Sequence, residues 1–178
     1  DAYDALTMEQ QAKIANYELL TEAENTLAKL IEEINLVEEQ IRGIGIVTLG
    51  QEAAIQAARL AYDKLPEDSK AGVENYDVLV ESEKYLDGLK KAVEDVIVSI
   101  DAMGEVAYSK ADTIQAVREA YDALTAEQQE RVTNRQKLVE AEEILEKLIA
   151  EIDSVENKIS AIGTVTLESE PAIQAARE

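Results

Sequence analysis

Residues 134–163 read NRQKLVEAEEILEKLIAEIDSVENKISAIG, and this stretch decides the fold. Its apolar residues Leu138, Ala141, Leu145, Leu148, Ile152, Val155, Ile159 and Ile162 recur at alternating steps of three and four. That period draws one narrow stripe along a helix of roughly 27 residues, or about 40 Å. A stripe so narrow needs a helical partner. Asn134 stands where such a helix starts, with a side-chain oxygen expected to accept from an unpaired amide of the first turn. Gly163 stands where it ends, where a residue of positive φ closes the last turn without a Cβ penalty.

The same stretch occurs three times. Upstream, the stripe returns as Leu79, Ser82, Leu86, Leu89, Val93, Val96, Ile100 and Met103, and before that as Leu20, Ala23, Leu27, Leu30, Ile34, Val37, Ile41 and Ile44. Asn16 and Asn75 match Asn134, Gly45 and Gly104 match Gly163, and the string AYD returns at Ala2, Ala61 and Ala120. Residues 2–60, 61–119 and 120–178 are therefore three copies of one repeat, aligned without a gap. The outer copies agree at about 35 positions and the middle one shares about 20 with either, so the middle copy has diverged.

Outward from the long helix, a short VTL link (Val47 to Leu49, Val165 to Leu167) leads to a second helix. Its apolar positions are Ile55, Ala58, Tyr62 and Leu65, then Ile114, Val117, Tyr121 and Leu124. Pro171 limits where that helix begins, which points to Ser169 or a neighbour as its cap. A third, short helix starts at Thr7 and Thr125, each followed three residues on by glutamine in the manner of a capping box. It carries Ile14, Val73 and Val132 inward, and Pro66 replaces the threonine in the middle copy. The expected fold is all-α: an elongated tandem array of helical-bundle repeats, each with a medium, a short and a long helix. The folded units need not follow the 2–60, 61–119, 120–178 frame.

Composition excludes several functions. Without His or Cys, Ser-His-Asp and Cys-His catalysis and zinc or haem ligation are ruled out. Seven scattered glycines form no phosphate cradle, and no EF-hand pattern is present, so no cofactor or metal is expected. A formal charge of -21 repels nucleic-acid phosphates and anionic lipid, and no run of about 18 apolar residues suits a membrane. The chain starts and stops in mid-pattern and is expected to be a monomeric piece of something longer.

Carboxylate pairs such as Glu32 with Glu33 and Glu142 with Glu143 sit side by side on the polar face of a helix. They do not oppose one another across a cleft, as glycosidase chemistry requires. Tyr3, Tyr62 and Tyr121 recur on the apolar stripe and are expected to be half-buried. The middle copy is different: Glu38 and Glu39 of the first copy become Ile97 and Val98, near Lys84, Lys90 and Lys91. Val98 falls opposite the core stripe. An apolar pair beside basic residues in an acidic chain makes Tyr85, Lys90, Ile97 and Val98 the candidate protein-binding residues.

The strings AYDALTAEQQERV, AIGTVTLES and AIQAAREAYDAL resemble short α-helical repeats of large surface and secreted proteins of Gram-positive gut and soil bacteria. The resemblance covers the whole chain, but its motifs are capping and packing residues. It implies a non-catalytic stalk or spacer at the cell surface or in secreted form. Some helical modules of comparable size in such proteins bind host proteins, so an immunoglobulin or a mucosal glycoprotein is the partner class implied. No binding residue carries over. An enzyme is the third and least supported expectation.

Overall fold

The structure is a computed structural model that describes residues 2–177. Among them it contains helices and short 3-10 turns and no strand. The elements are α1 (Met8–Gln11), α2 (Tyr17–Ile44), a 3-10 turn (Leu49–Gln51), α3 (Glu52–Lys64), α4 (Glu67–Lys70) and α5 (Tyr76–Ala102). A second 3-10 turn (Tyr108–Lys110) follows, then α6 (Ala111–Asp122), α7 (Ala126–Glu130), α8 (Arg135–Ser160), a third 3-10 turn (Leu167–Ser169) and α9 (Glu170–Ala175). The long helices start at Tyr17, Tyr76 and Arg135, the same position in each copy.

The punctuation follows local chemistry. Thr7 and Thr125 each accept from the backbone N–H of a glutamine whose side chain reaches back, the two capping boxes expected at α1 and α7. Gly45, Gly104 and Gly163 have φ of 62°, 66° and 58°, where an L side chain is strained, so each long helix stops at a residue free of that cost. Thr48 and Thr166 then cap the first and third 3-10 turns through Gly50 N–H and Glu168 N–H. Ser169 precedes α9 without capping it: its hydroxyl accepts from Thr166 N–H, while Pro171 sits in the first turn of α9, where no donor is lost.

The chain divides into two compact units, one up to Asp87 and one from Gly88 onward, and the division falls inside α5. In the first unit the core is Val37, Ile41 and Ile44 from the second half of α2, Leu49, Ile55 and Ala58, then Leu65, Val73, Leu79 and Leu86. In the second it is Val93, Val96, Ile100 and Met103, then Ile114, Val117, Tyr121, Leu124, Val132, Leu138 and Ala141. Each core thus closes the second half of one long helix against the medium helix, the short helix and the first half of the next long helix. Full burial of one Leu or Ile contributes about 1.5–3 kcal/mol. The most deeply buried large residues are Ile41, Ile55 and Leu79 in one unit and Ile100, Ile114 and Leu138 in the other, the same three positions one repeat apart.

Two expectations are corrected here. The stripe of α2 is open over its first half: Leu20 is 41% exposed and Leu27 58%, whereas Leu79 and Leu86 are 0% and 4%. The stripe of α8 is open over its second half, at Ile152, Val155 and Ile159. Ile14 likewise is 40% exposed against 6% for Val73 and Val132. The reason is that α5 buries its first half in one unit and its second half in the other, whereas the outer halves of α2 and α8 are only partly covered by the described residues.

Candidate functional site

Two kinds of side-chain tie recur in both units. Asn75 and Asn134 stand just before α5 and α8, but neither makes the expected bond to a first-turn amide. Asn75 Nδ2 donates to the backbone oxygen of Glu38 at 3.0 Å, and Asn134 Nδ2 donates to that of Ile97 at 2.8 Å. Asn134 has φ of −108° and ψ of 19°, away from the extended geometry that aims a side-chain oxygen at the first turn. The asparagine therefore joins the start of one long helix to the later half of the preceding one. Its own Oδ1 is buried without a partner in both cases.

The second tie is an arginine on the medium helix. Arg59 Nε and Nη2 donate to the two carboxylate oxygens of Glu83 at 2.7 and 2.6 Å, and Nη1 donates to the Tyr76 hydroxyl at 3.2 Å. Tyr62 and Tyr76 stack with centroids 4.2 Å apart, and the guanidinium lies 5.5 and 5.2 Å from their rings. In the second unit Arg118 makes the same two-pronged pair with Glu142, and Arg118 and Arg135 both lie over Tyr121. Hydrogen bonding to the carboxylate raises both guanidinium pKa values, against the opposing effect of burial. A fork-to-fork pair fixes geometry as well as charge, so it sets the angle at which medium and long helices cross. Sequence reasoning missed this tie. Its trace was there, in Arg59, Arg118 and Arg177 and in Glu24, Glu83 and Glu142, each recurring once per copy.

The candidate binding residues all lie on α5. Tyr85, in the first unit, is 60% exposed. In the second unit Val98 is 55% exposed, while Ile97 and Lys90 are half-buried. Ile97 stands where the first copy has an engaged carboxylate, since Glu38 accepts from Glu74 N–H at 2.8 Å and pairs with Arg42 at 2.9 Å. In the second unit a Lys137–Asp101 pair at 2.6 Å supplies an electrostatic link between the two long helices instead. That bond, with the Asn134 amide after it, holds the Asp101 carboxyl below its ordinary range. Lys91 is paired with Asp95 at 2.8 Å, so the basic strip is partly neutralised within α5.

A groove of about 510 Å³ lies between α2 and α3, rimmed by exposed Leu36 and Leu60 with Gln40 and Lys64 at its sides. It is open, and its ionisable lining side chains are Glu33 and Lys64. Among the described residues no three His, Cys, Asp or Glu side chains converge to hold a metal ion, and no helix is long and apolar enough to cross a membrane.

The chain matches no family model, no curated protein and no solved structure.

Proposed function

We propose that the chain is a non-catalytic helical repeat region that acts as a spacer or stalk, exposed at a Gram-positive bacterial cell surface or secreted. The observation that carries this is the recurrence of the helix ties: asparagine to carbonyl, and arginine to glutamate, each return in the next copy with the same partners in register. The residues that recur are those that hold helix against helix. A catalytic protein concentrates such precision at one cleft, whereas a spacer repeats it.

Excision of residues 61–119, which joins Leu60 to Ala120 in register, tests the reading. The shortened chain is expected to stay fully helical, fold cooperatively and lose a set increment in the distance between labels at its two ends. Loss of cooperative folding would count against a chain built of interchangeable repeats.

Exposed Tyr85 and Val98 on the divergent copy support a second reading, in which α5 also takes up a host protein such as an immunoglobulin or a mucosal glycoprotein. Val98 is an apolar side chain on a wet face, a position that a pure spacer has no use for. Replacing Ile97 by Glu and Val98 by Asn, as in the third copy, is expected to abolish such binding while helicity is kept; retained binding would move the contact elsewhere.

A further inference from the structure

Within the first unit, the groove between α2 and α3 carries apolar side chains that its counterpart lacks. Leu36 and Leu60 are each more than half exposed on its rim. One copy later the same positions are Asp95 and Glu119, both exposed, beside the groove of about 280 Å³ that α5 and α6 form in the second unit. Ser154 takes the place of Leu36 in the third copy. Two leucines have therefore entered together, on neighbouring helices, where the repeat otherwise keeps polar side chains. The core does not call for them, since it runs through Val37, Ile41, Ile55 and Ala58. Both described copies leave this face open, so the packing of the repeat does not use it.

The order of the lining residues gives the groove a direction. Because α2 and α3 pack side by side across the short link 45–51, they run antiparallel. Glu33 then stands across from Lys64, Leu36 across from Leu60 and Ala61, and Gln40 across from Ala57. Glu33 and Lys64 are both exposed at one end, and neither is held in an ion pair among the described residues. The α3 wall is low at Ala57 and Ala61, so another helix can approach closely between the leucines.

We propose that a second copy of this chain docks here, groove against groove, about a two-fold axis parallel to the two helices. The α2 of one molecule then lies on the α3 of the other at the same height, and the four helices close as a bundle. Each Glu33 meets the Lys64 of the other molecule, while Leu36 and Leu60 of both form an apolar centre behind these pairs. An unlike partner would have to bring an anion and a cation at one height with apolar side chains next to them. This surface supplies that arrangement to itself. The second unit cannot pair in the same way, because Asp95 would there oppose Glu119, like charge against like. The contact is isologous, so association stops at two molecules. It goes beyond the spacer reading and does not depend on it. Two chains of charge -21 repel one another at long range, which salt near 0.15 M screens to about 8 Å while the contact pairs and the apolar centre persist.

The experiment is sedimentation equilibrium of the full chain over a concentration series at about 0.15 M salt, with circular dichroism as the control for folding. Wild type is expected to rise from its monomer mass of 19.6 kDa toward twice that value and to level off there. The double variant Leu36→Asp with Leu60→Glu copies the second unit at exposed positions, and is expected to stay helical and monomeric. Glu33→Lys and Lys64→Glu each set like charges against one another twice in the pair, and each is expected to associate about 10–100-fold more weakly. An equimolar mixture of these two is expected to recover wild-type association, because a mixed pair again sets lysine against glutamate at both contacts. A wild-type chain that stays monomeric throughout overturns the proposal, as does growth beyond two molecules. So does a leucine variant that associates as wild type does, or a mixture no better than its components.

Discussion

Arg59 shows how much one side chain is asked to do. It is one quarter exposed, grips both oxygens of Glu83, meets the Tyr76 hydroxyl and lies over two rings. A hydrogen bond to a charged group contributes about 1.5–3 kcal/mol, so Arg59→Ala is expected to cost roughly that much in urea unfolding. Arg59→Lys should recover only part, because an ammonium cannot make the planar fork. Leu86 and Val98 make a second comparison on one helix. Leu86→Ala is expected to lower stability by about 2–5 kcal/mol, since it empties a buried site, while Val98→Glu stays within about 0.5 kcal/mol. Equal losses would mean that the stripe has been assigned to the wrong face. The apolar stripe that ranks these two residues could be read from spacing. The fork between Arg59 and Glu83 could not, because partners so far apart in the chain have no local period to announce them.

At the scale of the element, α5 carries a glycine in mid-helix at Gly88, beside the division between the two units, where the sister copies have Lys29 and Lys147. A Cβ there meets nothing. Gly88→Ala is therefore expected to stabilise α5 by about 0.5–1 kcal/mol, through the entropy that glycine loses on becoming helical. Gly104→Ala has equal room but a φ of 66°, so strain decides the outcome: it should destabilise by about 1–2 kcal/mol. Thermal melts of the two variants shifting in the same direction would contradict this. The helix ends, glycine stops and threonine caps were legible because each is a local rule. The asparagines were misread for the same reason: as residues before a helix they suggest a cap, and only the neighbouring long helix supplies the carbonyl that claims the amide.

For the whole molecule, charge is the largest collective effect. With 38 acidic against 17 basic side chains, ion pairs such as Arg59–Glu83, Arg118–Glu142 and Lys137–Asp101 neutralise only a part, and the excess repels itself in the folded state. Raising salt from about 0.01 to about 0.15 M shortens the screening length from about 30 to about 8 Å, so the midpoint of thermal unfolding is expected to rise. A fall would show that the Arg–Glu and Lys–Asp pairs outweigh the repulsion. The helical class, the three-fold repetition and the stripe from which each core is drawn followed from the sequence, because period, capping and glycine stops act within a few residues. Which half of each stripe is covered, where one folded unit ends and the next begins, and which distant partner each asparagine and arginine finds were decided by the tertiary structure. Burial depends on what lies across the gap, and a heptad reads the same whether or not a second helix is there to meet it.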